Sequence, residues 1–166
     1  RYMGLGATYD NGPLSLGLSG EQLSRNDSAL TAGDITAWSL GGSYDLGVAK
    51  LLAGYRQSTV DNFAFASTGA DAKRKGYMLA VTAPVGPGLV RAAYNRYQDS
   101  QTGTADAKAD HFAIGYIYSL SKRTSVYGTY AYLKNKNGGT RFSINGDAGL
   151  DNGKQQGLQV GMTHAF

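Results

Sequence analysis

Apolar residues alternate with small or polar residues along most of the chain. In the first segment Met3, Leu5 and Ala7 lie on one face of an extended strand, and Gly4 and Gly6 lie on the other. A period of two over about ten residues is typical of a half-buried β-strand, and a helical period fits poorly. The alternation is clear in eight segments, 2–10, 14–24, 35–45, 48–57, 76–84, 89–98, 111–120 and 155–166. A ninth strand is predicted at 124–136, where aromatic residues occur on both faces.

The connections between these strands alternate in length. Tight turns rich in Gly, Pro, Asp and Ser are predicted at 11–13, 45–47, 86–88 and 121–124. Long polar connections are predicted near 25–34, 59–72, 99–109 and 137–153. All short turns therefore fall on one edge of the sheet and all long connections on the other. We expect an all-β, antiparallel up-and-down barrel, with residues 1–166 forming one domain.

The apolar face of such a barrel points either to a dry core or to lipid. In the eight clear strands the apolar positions carry no Lys, Arg, Asp or Glu, and a charge there would cost about 2–4 kcal/mol at a bilayer midplane. The opposite face is mainly Gly, Ala, Ser and Thr, which suits a hydrated interior. This pattern favours a transmembrane barrel over a soluble barrel that holds an apolar ligand inside.

Composition and the placement of aromatic residues support the membrane interpretation. Charged residues make up 17% of the 166 residues, below the roughly 25% usual for soluble domains, and Glu21 is the single glutamate. Aromatic residues on the apolar face form two groups by height, as interfacial belts do. One group lies near the short turns and the other toward the long connections: Tyr9, Tyr44, Tyr118 and Phe166, and Tyr55, Tyr77, Tyr94 and Phe112.

Signatures of catalysis and of ligand binding are absent from the sequence. The chain has no Cys, and its two histidines, His111 and His164, lack partners at metal-ligand spacing. It contains no GxSxG elbow and no phosphate-binding glycine loop. The aromatic residues lie on the uncharged face, whereas binding of single-stranded nucleic acid combines aromatics with basic charge. We therefore expect no enzyme activity, no metal, no cofactor and no nucleic-acid partner.

Three segments carry a family resemblance: YDNGPLSLGL at 9–18, YSLSKRTSVYGTYAYLKNK at 118–136 and GLQVGMTHAF at 157–166. The chain resembles the C-terminal half, strands eight to sixteen, of the trimeric sixteen-stranded general porins of Gram-negative bacteria, of the beta-proteobacterial type. His164 departs from the family's more usual aromatic residue at that position. The chain opens on Arg1, and we expect a mature product or a fragment.

The resemblance implies a cellular location and a set of partners. It implies an integral β-barrel of the bacterial outer membrane, in contact with lipid and lipopolysaccharide, that assembles as a homotrimer. The N-terminal half of the barrel would come from the same or a separate chain. Insertion would use the barrel-assembly machinery, which in this family reads a last strand with alternating apolar residues and a terminal Phe. Here those residues are Leu158, Val160, Met162 and Phe166.

The resemblance also implies a water-filled pore for passive diffusion of small hydrophilic solutes and ions. Alternation assigns Lys50, Arg56, Arg91 and Glu21 to the lumen, and lumen charges set ion selectivity. Three positive charges against one negative charge predict a mild preference for anions. A further basic set, Arg96, Lys134 and Lys136, is expected near the extracellular mouth. The alternative function is a small filled barrel that acts as an anchor or adhesin through its long extracellular connections.

Overall fold

The computed structural model describes residues 1–24, 33–61, 71–101, 105–137, 142–144 and 153–166. In these ranges the chain forms one antiparallel sheet in which the strands pair in chain order. The strands are β1 (Tyr2–Asn11), β2 (Leu14–Leu23), β3 (Ile35–Asp45), β4 (Lys50–Val60), β5 (Ala72–Val85), β6 (Gly88–Gln101), β7 (Ala107–Ser119), β8 (Thr124–Lys136) and β9 (Lys154–His164). A search of the same residues for a helix long and apolar enough to span a membrane finds none.

The register gives the sheet two chemically different faces. Residues directly opposite one another on paired strands share a face, so Ser39, Arg56 and Gly76 lie on one side. We call that side the inner face, and the side that carries Leu79 and Leu158 the outer face. The predicted apolar positions all fall on the outer face.

Burial shows which way the sheet curls. Among the described residues, those with less than a tenth of their surface exposed all belong to the inner face: Ala37, Val60, Ala72, Asp99, Ala107, Ala109, Leu133 and Asn135. The outer face keeps its large apolar side chains open, with Leu5 81% and Leu158 78% exposed. A single sheet that shelters residues on one face and exposes large apolar side chains on the other curls toward the sheltered face. This arrangement is the reverse of a soluble barrel with an apolar core.

The strand with aromatic residues on both faces is also assigned by the register. In β8, Tyr130 and Tyr132 lie on the outer face with Leu158 of β9. Tyr127 lies on the inner face, directly opposite Gly161. A Cβ on Gly161 would lie 2.5 Å from Cζ of the Tyr127 ring, so the glycine leaves room for the tyrosine.

The short turns are built as predicted. Gly12, Gly47 and Gly86 have φ of +55°, +81° and +57°, a left-handed conformation that favours glycine over residues with a Cβ. The Asp45 carboxylate accepts a hydrogen bond from the Gly47 N–H at 2.8 Å. In the fourth turn the Ser121 hydroxyl accepts hydrogen bonds from two backbone N–H groups.

The predicted strand ends at the long connections are wrong for four strands. β4 continues to Val60, β6 continues to Gln101, and β5 and β7 begin four residues earlier than predicted. Both faces carry polar or small residues there, so the alternation disappears although backbone pairing continues. Smaller shifts occur elsewhere, since β4 begins at Lys50 and β9 ends at His164. Most of the predicted long connections lie outside the described residues.

The two edge strands run in the same direction. Among the described residues, β1 and β9 each pair with one neighbour, β2 and β8. Because nine antiparallel strands alternate in direction, the first and the last point the same way. Antiparallel closure between these edges therefore takes an odd number of additional strands.

Candidate functional site

Two of the predicted lumen residues form an ion pair on the inner face. Arg56 of β4 donates from its guanidinium to the Glu21 carboxylate of β2. The Tyr2 hydroxyl donates a hydrogen bond to the other Glu21 oxygen at 3.0 Å. Both charged side chains remain partly open to solvent, with 57% of Arg56 and 35% of Glu21 exposed. The pair carries almost no net charge toward the concavity.

A second ion pair on the same face was not predicted. Arg74 of β5 lies directly opposite Asp99 of β6, and its Nε is 3.4 Å from the Asp99 carboxylate. Asp99 is 7% exposed, whereas Arg74 is 53% exposed. In the sequence Arg74 lies between Lys73 and Lys75. Because side chains alternate along a strand, Arg74 lies on the inner face and the two lysines lie on the outer face.

Arg91 occupies a different environment. It is exposed on the inner face of β6, and its register neighbours are Thr82 of β5 and Gly115 of β7. Within the part of the chain that the structure describes, Arg91 has no ion-pair partner. Its guanidinium therefore presents a full positive charge to the concavity.

The fourth predicted residue, Lys50, lies at the short-turn end of the inner face. It is opposite Asp45 of β3 and Thr82 of β5. A carboxylate and an ammonium in this cross-strand position interact favourably. Lys50 therefore contributes less unopposed charge than Arg91 does.

The prediction that cations outnumber carboxylates on the inner face is wrong. Arg74 adds a cation, but Asp10, Asp45 and Asp99 also lie on the inner face. Over the described strands the inner cations and carboxylates are equal in number: Lys50, Arg56, Arg74 and Arg91 against Asp10, Glu21, Asp45 and Asp99. Local selectivity then depends on where the charges lie, and Arg91 stands apart from the carboxylates.

A short segment between β8 and β9 lies against the inner face. The Phe142 ring stacks on Tyr97 of β6 with centroids 5.6 Å apart. The fully buried Asn135 donates from its amide nitrogen to the Phe142 carbonyl at 2.9 Å. The Ile144 N–H donates to the Gln155 side chain at 2.7 Å. These three contacts hold residues 142–144 over the concave side of the sheet.

A recess of about 790 Å³ opens beside this segment. Its lining includes Arg56, Arg74, Asn95, Tyr97 and Phe142. Arginine and amide groups beside aromatic rings can contact hydrated anions and small polar solutes. Among the described residues, no group of three His, Asp or Glu side chains is arranged to hold a metal ion.

The predicted residues of the last strand lie on the outer face. Leu158, Val160 and Met162 alternate along β9 and are exposed. Phe166 follows β9 and is fully exposed. The His164 ring packs edge-on against the Phe166 ring, with the ring centroids 5.0 Å apart. Its Nδ1 atom is hydrogen-bonded to the Thr124 hydroxyl at 2.9 Å.

The cations predicted near the mouth lie at the long-connection ends of β6 and β8, on the outer face. Arg96 and Lys134 are both opposite Asp110 of β7, and Lys136 is two residues further along β8. Asp110 accepts from Arg96 Nε at 2.7 Å, pairs with Lys136, and accepts from the Tyr94 hydroxyl at 2.8 Å. These side chains share a face with the lipid-compatible residues, so they do not line the concavity.

Comparison with known proteins gives a consistent assignment. A sequence model of the Gram-negative porin family matches residues 1–138. Outer membrane porin protein 32 of Delftia acidovorans is 40% identical over 173 residues, which cover 100% of this chain and 46% of that protein. The structure of an anion-selective porin from Comamonas acidovorans superposes with a TM-score of 0.83 at 39% identity and covers 100% of this chain and 49% of that one.

A more distant structure shows the same fold. The trimer form of OmpT, an outer membrane protein of Vibrio cholerae, has a TM-score of 0.72 at 17% identity, covering 97% of this chain and 54% of that one. The chain thus spans about half the length of the relatives that it matches. Those relatives are porins and not enzymes. On the family match and the 40% identity, the chain belongs to the Gram-negative porin family.

Proposed function

We propose that this chain forms about half of an outer-membrane pore through which small hydrophilic solutes and ions diffuse passively, with a mild preference for anions. The observation that carries the preference is Arg91, an exposed inner cation flanked by Thr82 and Gly115 and paired with no described carboxylate. The similar Comamonas protein is described as an anion-selective porin, which supports the sign of the preference.

The proposed mechanism is physical and makes or breaks no bond. Small residues such as Gly54, Ala93 and Gly115 line the inner face and leave room for water. Charged side chains in that water attract one sign of ion and repel the other. Lys50, Arg56 and Glu21 would line the same pore, with Arg56 and Glu21 largely neutralising each other. The mechanism requires no cofactor.

The proposed barrel is completed by strands that this sheet lacks. Residues 1–166 would act as one partial barrel domain, and the N-terminal half, from the same or a separate chain, would supply an odd number of strands. A second copy of the sheet fits poorly, because joining β9 to another β1 would make a parallel pair. A homotrimer of complete barrels is proposed by analogy with the trimer form of OmpT.

Two further partners belong to the proposal. The outer face would contact outer-membrane lipid and lipopolysaccharide, because its large apolar side chains are open. The exposed residues Leu158, Val160, Met162 and Phe166 would present the assembly signal to the barrel-assembly machinery. The anchor or adhesin alternative is less favoured, since a filled barrel would need bulky inner side chains where this one has glycine and alanine.

The test is conductance of the assembled barrel in planar bilayers under a salt gradient. We expect stepwise conductance with a reversal potential on the anion side. Arg91→Glu should move that potential toward cations, because it exchanges an unopposed positive charge for a negative one. Arg123→Glu in the β7–β8 turn is the matched control and should move it much less. Silent membranes would favour the anchor function, and equal shifts would remove Arg91 from the conducting path.

A further inference from the structure

The inner face has an opening between side chains beside the segment at 142–144. In one cross-strand row, Arg56 of β4, Gly76 of β5 and Tyr97 of β6 follow one another. The outer two strands of this row are about 10 Å apart, and only backbone lies between their side chains. A Cβ added to Gly76 would have its nearest described neighbour outside the adjacent chain, Cδ1 of Tyr97, at 4.0 Å. We call this opening the Gly76 slot. It belongs to the recess of about 790 Å³, a size typical of small-molecule sites.

One wall of the Gly76 slot is aromatic. The Tyr97 and Phe142 rings are stacked with centroids 5.6 Å apart. Tyr97 is 36% exposed and Phe142 is half-buried, so both rings keep open surface. In the described strands, Tyr2 and Tyr127 are the other aromatic residues on the inner face. The slot therefore offers a flat apolar surface within a lining that is otherwise mostly small or polar.

The polar groups beside the slot are close to neutral in sum. Arg56 pairs with Glu21, and Arg74 pairs with Asp99. Each guanidinium has five N–H donors and is more than half exposed, so donors remain for a second acceptor. An anion would compete with the two carboxylates for these donors. A hydroxyl group can accept from a guanidinium and also donate to a carboxylate, so this arrangement favours a neutral ligand that carries several hydroxyl groups.

We propose that the Gly76 slot is a binding subsite for a neutral saccharide. The C–H face of a pyranose ring is apolar and would pack on the wall of Tyr97 and Phe142, while the ring hydroxyls would hydrogen-bond to Arg56 and its carboxylate partner. The inference names a solute class for the proposed pore, and it rests on that proposed function for access from water. Arg91, which carries the proposed anion preference, lies outside the recess and nearer the short turns on β6.

The test measures single-channel current of the assembled barrel in planar bilayers as glucose is added. Sorbitol, the open-chain alcohol with the same number of carbons, controls for viscosity and lacks the rigid ring. We expect glucose to block the current saturably, and sorbitol to lower it only in proportion to its concentration. Gly76→Leu fills the slot and should raise the half-blocking glucose concentration about tenfold or more, as expected for overfilling a packed site.

The matched control is Gly17→Leu. It adds the same side chain to the inner face of β2, at a position where a Cβ would meet no described atom within 4 Å and which does not line the recess. It should leave the half-blocking concentration as in the parent. Tyr97→Leu keeps an apolar side chain beside Phe142 but removes the flat ring, and should weaken the block about fivefold.

Several results would overturn the inference. These are a glucose effect that does not saturate, an equal block by sorbitol, equal effects of Gly76→Leu and Gly17→Leu, or saturable block by benzoate without block by glucose, which would indicate a site for aromatic anions. Calorimetric titration of glucose into the assembled barrel in detergent micelles separates this result from the pore proposal. Silent membranes with binding that Gly76→Leu abolishes would remove the pore and keep the subsite. Conduction without saturable binding would keep the pore and remove the subsite.

Discussion

Two neighbouring alanines of β6 allow the assignment of the faces to be tested with one substitution type. Ala92 lies on the outer face between Val81 and Ile114, and Ala93 lies on the inner face between Ala80 and Ala113. Both are partly exposed in the sheet. Arginine introduced at Ala92 would enter lipid, whereas arginine introduced at Ala93 would enter the concavity. The two variants therefore differ mainly in which face of the sheet carries the new charge.

The size of the effect follows from the cost of a charge in the hydrocarbon layer. Ala92→Arg should lower the free energy of unfolding by about 2–4 kcal/mol, because Arg on the lipid face is penalised by that amount near the midplane. The ratio of folded to unfolded protein would fall by about 30-fold to 1,000-fold. Ala93→Arg should cost much less, since its guanidinium stays in water and its neighbours are small.

The measurement is equilibrium unfolding of the assembled barrel in lipid vesicles, with free energies extrapolated to zero denaturant. Ala93→Arg also has a second readout, because a new lumen cation should increase anion preference in planar bilayers. A larger loss of stability for Ala93→Arg than for Ala92→Arg would refute the face assignment. Equal losses of stability would mean that the two faces contact the same medium, either lipid or water.

Two further predictions concern the inner face. Glu21→Gln removes the carboxylate that pairs with Arg56 and should shift the reversal potential toward anions, opposite to Arg91→Glu; a shift toward cations would contradict the neutralisation of Arg56. Asn135→Ala removes the hydrogen bond that holds the Phe142 carbonyl. It should lower stability by about 1 kcal/mol and raise single-channel conductance, whereas unchanged conductance would mean that residues 142–144 lie outside the conducting path.

The strands and their faces were predictable because one physical rule governs them. Wherever lipid lies on one side and water on the other, apolar and small residues must alternate, and Leu79, Val81 and Ile114 follow that rule. The rule fails beyond the membrane. There β5 and β7 continue in residues such as Arg74 and Ala109, which are paired through their backbones without a clear apolar face.

The inner charge pairs were less accessible from the sequence. Glu21 and Arg56 are 35 positions apart, and their contact depends on the register of three strands. Arg74 was not identified as an inner residue because it lies between two lysines that are on the outer face. The approach of Phe142 to Tyr97 depends on the path of a long polar connection, for which alternation gives no signal.

The most direct test of the central claim is a single-cysteine scan along β6. The chain has no native Cys, so each introduced thiol reports one position. A charged, membrane-impermeant thiol reagent should react at Ala93→Cys and Asn95→Cys and reduce conductance there, because the proposed pore places these inner-face residues at a water-filled lumen. It should not react at Val90→Cys or Ala92→Cys, which lie on the outer face. Reaction with the opposite parity, or reaction at the inner positions without any change in conductance, would contradict a conducting pore lined by this face.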